Sequence, residues 1–288
     1  MSDLDARVRR LQLSCRKPVE ELLAGEYKSV FKGRGIEFEE VREYQPGDEI
    51  RSIDWNVTAR TGRPFVKQFV EERELTLYIL MDVSASFVAG AVGEEKRAAA
   101  AELATLLSLA AVRNNDRVSL MLFTNELEHY IPPRKQESQV RHIISELLSY
   151  PPKATGTNIG AVLDFLSRIT RRRAIVFLFS DFQCTDFIEP MRIVAQQHDL
   201  IAVSVTDEHE TELPNVGLVR LRDSESGQFN IVDTGNASVR ESLAHAASAY
   251  QEELTAVLAE AQVDHLPIHT HEDYLSDLIQ FFEQRRRA

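Results

Sequence analysis

The stretch that decides the fold is Leu75-Thr76-Leu77-Tyr78-Ile79-Leu80-Met81-Asp82-Val83-Ser84-Ala85-Ser86. Its first seven residues form a run of strand length that is apolar apart from Thr76 and rich in β-formers, as expected of a strand buried on both faces of a parallel sheet. The run stops at an aspartate and two serines spaced by two. In an extended segment alternate side chains share a direction, so Asp82, Ser84 and Ser86 can turn three oxygens toward one point.

Working outward, the same kind of run recurs at Arg117 to Phe123, Ala174 to Ser180 and Leu200 to Thr206, with weaker candidates at His129 to Pro132, Val216 to Leu221 and His265 to His269. Helical patterns separate them, at about Glu94 to Arg113, Gln136 to Ser149, Ile159 to Thr170, Phe187 to Gln197, Ser238 to Gln262 and Glu272 to Arg286. Strands alternating with helices predict an α/β fold: a mostly parallel central sheet with helices on both faces. A turn near Ser224 to Gln228 predicts an added hairpin.

Upstream, Leu4, Val8, Leu11 and Cys15 recur at helical spacing, and Val19, Leu22 and Leu23 begin a second stripe, so two short helices are expected to dock on something larger. From Ser29 to Glu74 short extended pieces alternate with turn residues, among them Pro46-Gly47, which suits a hairpin tip. The expected division is a helical and β-rich region over 1–74 and the α/β domain over 75–288. Arg42, Asp48, Arg51, Asp54 and Arg60 are charged residues able to pair around Trp55 and fasten the β-rich segment to the sheet, or to present a recognition surface.

In an open α/β sheet, ligands sit beyond the carboxyl ends of the strands where neighbouring connections diverge. The Asp82 loop and the Ser180-Asp181 strand end meet there if their strands are adjacent, and Thr157 in Ala154-Thr155-Gly156-Thr157-Asn158 can reach in from the loop before a helix. Two carboxylates and three hydroxyls suit a hard cation, Mg2+ or Mn2+. The neutral hydroxyls leave the ion much of its charge for an acidic group on a partner. The alternative is local: aspartate and serine making turn bonds without any ion.

Asp82-Val83-Ser84-Ala85-Ser86, the Thr157 loop and Ser180-Asp181 resemble, in order and spacing, the metal-ion-dependent adhesion site of von Willebrand factor A (vWA) domains. The resemblance implies that Ser84, Ser86 and Thr157 are ligands of magnesium, with Asp82 and Asp181 acting directly or through water. Phe87 departs from the methionine that often follows the second serine in related bacterial domains. Arg42-Glu43-Tyr44-Gln45-Pro46-Gly47-Asp48-Glu49-Ile50-Arg51-Ser52-Ile53-Asp54-Trp55, with Ala59-Arg60 after it, is similar to the signature of the bacterial domain-of-unknown-function family fifty-eight, and the similarity runs from about Gly33 to Arg285. It implies an adaptor of a MoxR-type AAA+ ATPase, or of its client, rather than an enzyme.

Bulk properties agree with a globular protein: 43% hydrophobic and 27% charged residues in 288. Residues 1–74 carry 14 basic and 15 acidic side chains, so nearly all of the net charge of −12 lies downstream, where it would repel a phosphate backbone. Cys15 and Cys184 match no disulfide or metal pattern, which fits a reducing, cytoplasmic setting, and no apolar run is long enough to span a bilayer. His265, His269 and His271 lack a paired ligand motif, and Arg171 to Arg173 and Arg285 to Arg287 read as solvated helix ends. A phosphoryl-transfer hydrolase using Asp82 is the enzymatic alternative, but Ser84 stands where a second aspartate would serve as acid and base. A scaffold with an unused site is the third reading.

Overall fold

A computed structural model describes residues 3–25, 37–45, 48, 53–70, 74–88, 90–222 and 228–287. The chain divides into two compact units, residues 31–75 and residues 1–30 together with 76–288. The partition therefore differs from a cut at 74/75, because the two N-terminal helices belong with the large unit.

The large unit is built on a six-stranded sheet. Its strands are β3 (Thr76–Asp82), β4 (Arg117–Phe123), β5 (Leu127–Arg134), β6 (Ile175–Ser180), β7 (Asp199–Thr206) and β10 (Asp264–His269), in the order β10-β7-β6-β3-β4-β5. All neighbours are parallel except β5, which runs antiparallel to β4 at one edge. β3, β4, β6 and β7 are buried along nearly their whole length, which is why they read as continuous apolar runs and not as alternations.

The helices supply the covering layers. They are α4 (Ala85–Val88), α5 (Gly90–Arg113), α6 (Glu137–Ser149), α7 (Ile159–Ile169), α8 (Ile188–Gln197), α9 (Glu208–Thr211), α10 (Ala237–Glu260) and α11 (Tyr274–Arg287). One face of the sheet, carrying Tyr78, Leu80, Val176 and Leu178, packs on Val162, Leu163 and Leu166 of α7, Met191 and Val194 of α8, and Leu254 and Leu258 of α10. On the opposite face Phe177 meets Phe282 of α11 edge-on at 6.4 Å. β8 (Leu218–Arg222) and β9 (Phe229–Asp233) form a separate antiparallel pair. Their connection, where the turn near Ser224 was expected, lies largely outside the described residues.

The N-terminal helices, α1 (Asp3–Ser14) and α2 (Arg16–Gly25), bury their apolar stripes on this unit. Val8 joins Val140 and Ile144 of α6 in a small cluster with Leu4, Leu11 and Leu109 at its margin. Cys15, Val19 and Leu22 are buried, and the Cys15 thiol points at the Glu102 carbonyl, 3.7 Å away.

One reading of the basic runs is corrected. Arg285 is not a solvated helix end: its guanidinium pairs with Asp199 and, at 3.0 Å, with Asp264, the first residues of β7 and β10. Those two carboxylates fasten α11 to the amino edge of the sheet, a partnership formed over a long sequence separation and invisible to a local reading.

The small unit pairs β1 (Glu37–Glu43) antiparallel with β2 (Phe65–Val70) and includes α3 (Trp55–Thr61). Asp54 caps α3 by accepting from the amides of Asn56 and Val57, and Gly62, at φ 74°, ends it in the left-handed conformation that glycine adopts without strain. Arg42 forms a two-pronged pair with Asp48 at 2.7 and 2.8 Å. Those bonds and the Gln45 amide hold the Asp48 carboxyl below the usual carboxylate range. Trp55 is 68% exposed, so it is not the buried centre of a charged network. Arg60 lies in the last turn of α3, Tyr44 donates its amide to the Pro64 carbonyl, and Arg51 and Pro46-Gly47 lie outside the described residues.

Ile144→Ala should cost about 2–5 kcal/mol, the range for emptying a buried aliphatic site. Urea unfolding measures the loss, and hydrogen exchange should rise selectively in residues 3–14, which rest on that side chain.

Candidate functional site

The sheet order places the switch point between β3 and β6. From β3 the chain moves to β4 on one side, and from β6 it moves to β7 on the other, so the loops after β3 and β6 open away from each other above a shared crevice. Parallel register sets Met81 beside Phe179, and hence Asp82 beside Ser180.

Asp82 is fully buried. Its Oδ1 accepts from the Ser84 amide at 2.8 Å, and its Oδ2 accepts from Ser180 Oγ at 2.6 Å and from Thr157 Oγ1 at 3.4 Å. Ser84 Oγ and Ser86 Oγ stand 3.1 Å apart. The loop carrying Thr157 is tied to the aspartate loop by the Ala85 amide, which donates to the Thr155 carbonyl at 2.9 Å. A Cβ on Gly156 would lie 2.4 Å from Asn125 Oδ1, so the close approach there needs a glycine or a rotated asparagine.

The base of that loop is held by Glu128 of β5. Its carboxylate accepts from Thr124 Oγ1 at 2.6 Å, the Lys153 amide at 2.9 Å and the Ala154 amide at 3.1 Å. Partial burial works against ionisation, yet the hydrogen bonds prevail and hold Glu128 below its ordinary value. Asn158 then caps α7 by accepting from the Ala161 amide.

Asp181 follows Ser180 directly and is also buried. Oδ1 accepts from the Gln183 amide at 3.2 Å, whereas Oδ2 is buried and accepts no hydrogen bond. Phe182, at φ 58°, turns the chain sharply after it, a backbone state that L-residues seldom occupy and that recurs near functional sites. Burial, followed by repulsion from Asp181, pushes Asp82 up to about 6 despite the hydroxyl and amide bonds that favour its ionised form.

Lys96 of α5 completes the arrangement and was missed in the sequence. Its side chain is wholly buried, and Nζ donates to the Ser86 carbonyl at 3.0 Å and to Glu210 Oε1 at 2.7 Å, with Asp181 Oδ2 at 3.5 Å. The Phe87 ring lies beneath it at 5.5 Å. Glu210 is itself oriented: its other oxygen accepts from the Asp207 amide, closing a capping box on α9. Nothing in the local pattern separates Lys96 from a surface lysine at the start of a helix. Ser180 was the more legible omission, since it adjoins Asp181 and points where Asp82 points.

The five residues read from the sequence are thus brought to one crevice: Asp82, Ser84, Ser86 and Thr157 in direct or successive contact, with Asp181 joined through Lys96. Oxygens about 3 Å apart, such as Ser84 Oγ and Ser86 Oγ, have the spacing of adjacent ligands around a small octahedral ion whose bonds are about 2.1 Å. Asp181 Oδ2 faces the Lys96 ammonium at 3.5 Å but accepts no hydrogen bond, so it is a buried acceptor with capacity to spare, and the donor set fits a hard divalent cation. His265, His269 and His271 belong to no group of three potential metal ligands among the described residues. His265 bonds Ser204 at 2.8 Å and Thr255 at 3.1 Å, and burial lowers it to about 4. No helix of the described residues is long and apolar enough to cross a membrane.

Comparison with known proteins places the chain. The uncharacterized protein Rv1480 of Mycobacterium tuberculosis is 31% identical over 291 aligned residues, covering 99% of this chain and 90% of that one. Among solved structures, the conserved hypothetical protein BatB from Bacteroides thetaiotaomicron covers 74% of this chain and 100% of its own at a TM-score of 0.49 and 15% identity. The SpRpn10 VWA domain covers 72% and 94% at 0.40 and 9%. The fold is of the α/β type, a mostly parallel six-stranded sheet with helices. The model of the family described as protein of unknown function DUF58 matches residues 40–253, and the chain belongs to that family.

Proposed function

We propose that this protein is a non-enzymatic interaction module that binds a divalent cation, Mg2+ or Mn2+, at the crevice above β3 and β6 and uses it to engage an acidic group of a protein partner, a MoxR-type AAA+ ATPase or its client. The observation that carries the reading is the pair of buried carboxylates, Asp82 and Asp181, with the Ser84 and Ser86 hydroxyls 3.1 Å apart, Thr157 Oγ1 3.4 Å from Asp82 Oδ2, and Asp181 Oδ2 left without a hydrogen bond. Ser84, Ser86 and Thr157 would hold the ion directly, and Asp82 and Asp181 would balance its charge. The ion would supply a positive charge that the neutral hydroxyls do not quench. The signature segment, with its Arg42–Asp48 pair and exposed Trp55, would orient the encounter.

A phosphoryl-transfer role for Asp82 finds less support. A nucleophilic carboxylate has to present an oxygen to substrate, and Asp82 is fully buried with both oxygens accepting from Ser84, Ser180 and Thr157.

One observation favours a second reading, a scaffold that needs no metal: Lys96 already brings an ammonium to Ser86, Asp181 and Glu210. In that case the lysine alone balances the buried carboxylates. Calorimetry separates the two. The interaction reading expects one equivalent of Mg2+ or Mn2+ to bind, Asp82→Ala to abolish binding, and EDTA to weaken capture of the ATPase; an absence of binding, or binding indifferent to the substitution, contradicts it.

The buried charges make two further outcomes measurable. The folded-state value of Asp82 lies above its unfolded value of 3.8, so the stability tied to its proton is complete below about pH 4 and is lost as pH rises through about 6. Ionised Asp82 then burdens the metal-free protein by about 3 kcal/mol. Urea unfolding in EDTA should show the stability of Asp82→Asn gaining on the wild type by that amount between pH 4 and pH 7.5. Lys96→Met strips Glu210 and Asp181 of their counter-charge and should cost about 3–5 kcal/mol. In thermal melts, Mg2+ should recover a larger share of the loss in this variant than it adds to the wild type; no recovery supports the scaffold.

A further inference from the structure

His129, His142 and Glu146 stand apart from the crevice residues. His129 projects from β5, the antiparallel edge strand, while His142 and Glu146 lie four residues apart on α6 and so share one helix face. His129 Nε2 is 3.8 Å from Glu146 Oε2, and His142 Nε2 is 3.7 Å from Glu146 Oε1. The three ligand atoms all lie within 4.8 Å of one another.

The separations of 3.7 and 3.8 Å are too long for hydrogen bonds, so the cluster is not held together as an ordinary polar network. They are close to what an ion between the groups requires: two ligands bonded at about 2.0–2.1 Å to a tetrahedral ion stand about 3.4 Å apart. The His142 side chain is 55% exposed, so it has room to rotate and shorten its 3.7 Å separation. His129 Nε2 is buried and has no hydrogen-bond partner, an arrangement that costs free energy unless something fills its coordination. Its ring is steadied by Tyr150, stacked at 5.6 Å and 29°.

We propose that His129, His142 and Glu146 form a second metal site, selective for a borderline transition-metal ion such as Zn2+. Two imidazoles and one carboxylate suit such an ion and not magnesium, which prefers an all-oxygen shell. Three protein ligands leave one position open to water or to a donor from another molecule. The site does not depend on the crevice being a cation site, since the two share no residue.

The test uses the whole 288-residue chain, stripped with chelator and titrated with Zn2+ in the presence of excess Mg2+. The wild type and Asp82→Ala should each take up one equivalent. His142→Ala and Glu146→Gln should each weaken uptake by more than about tenfold, the loss that removing even an outer-shell partner causes. Co2+ in place of Zn2+ should give visible absorption bands of nitrogen and oxygen coordination that vanish in His142→Ala, while circular dichroism shows both variants folded. Uptake that is equal in all four proteins, is lost in Asp82→Ala, or occurs only at millimolar zinc would overturn the proposal.

Discussion

Two carboxylates buried side by side at the carboxyl edge of a parallel sheet set the terms for the rest of this molecule. Asp82 and Asp181 are placed together because β3 and β6 are neighbours in register, and their repulsion in a low-dielectric crevice has to be offset. Hydroxyls and amides from Ser84, Ser180, Thr157 and Gln183 supply part of the compensation. The buried ammonium of Lys96 supplies another part, at 3.5 Å from Asp181 Oδ2, an oxygen that accepts no hydrogen bond.

The surrounding elements hold this arrangement in place. Glu128 gathers the amides of Lys153 and Ala154, so the loop that delivers Thr157 rests on the edge strand β5. On the other side a chain of contacts runs from the Ser86 carbonyl through Lys96 and Glu210 to Asp207, whose second oxygen accepts from Thr270 Oγ1 at 2.7 Å after β10. The crevice is thereby anchored to four separate connections, which suits a site whose geometry must be ready before a ligand arrives. The same edge strand that carries Glu128 carries His129 next to it, so the two proposed ion sites lean on one element from different sides.

Membership of the DUF58 family gives the small unit its interest. Its conformation is held by local chemistry: the Arg42–Asp48 fork, the Asp54 cap, and the antiparallel pairing of β1 with β2. Trp55 is not consumed by that chemistry, and a large exposed aromatic next to charged residues has the composition of a recognition surface.

Much of this was legible in the chain, for reasons of period and burial. Strands buried on both faces must be continuously apolar, so β3, β4, β6 and β7 announce themselves, and helices that cover a sheet must be amphipathic, so α6, α7 and α8 do too. Asp82, Ser84 and Ser86 were visible because alternation in an extended segment is local, and Thr157 and Asp181 because each ends or begins a recognisable element. What only the tertiary structure decided depends on distance along the chain. Lys96 meets Glu210 across 114 residues, Arg285 meets Asp199 across 86, and His129 faces a helix that begins after an intervening turn. A charged or imidazole side chain has the same local signature whether it is solvated or buried, because its partner is chosen by the packing of elements and not by its neighbours in sequence.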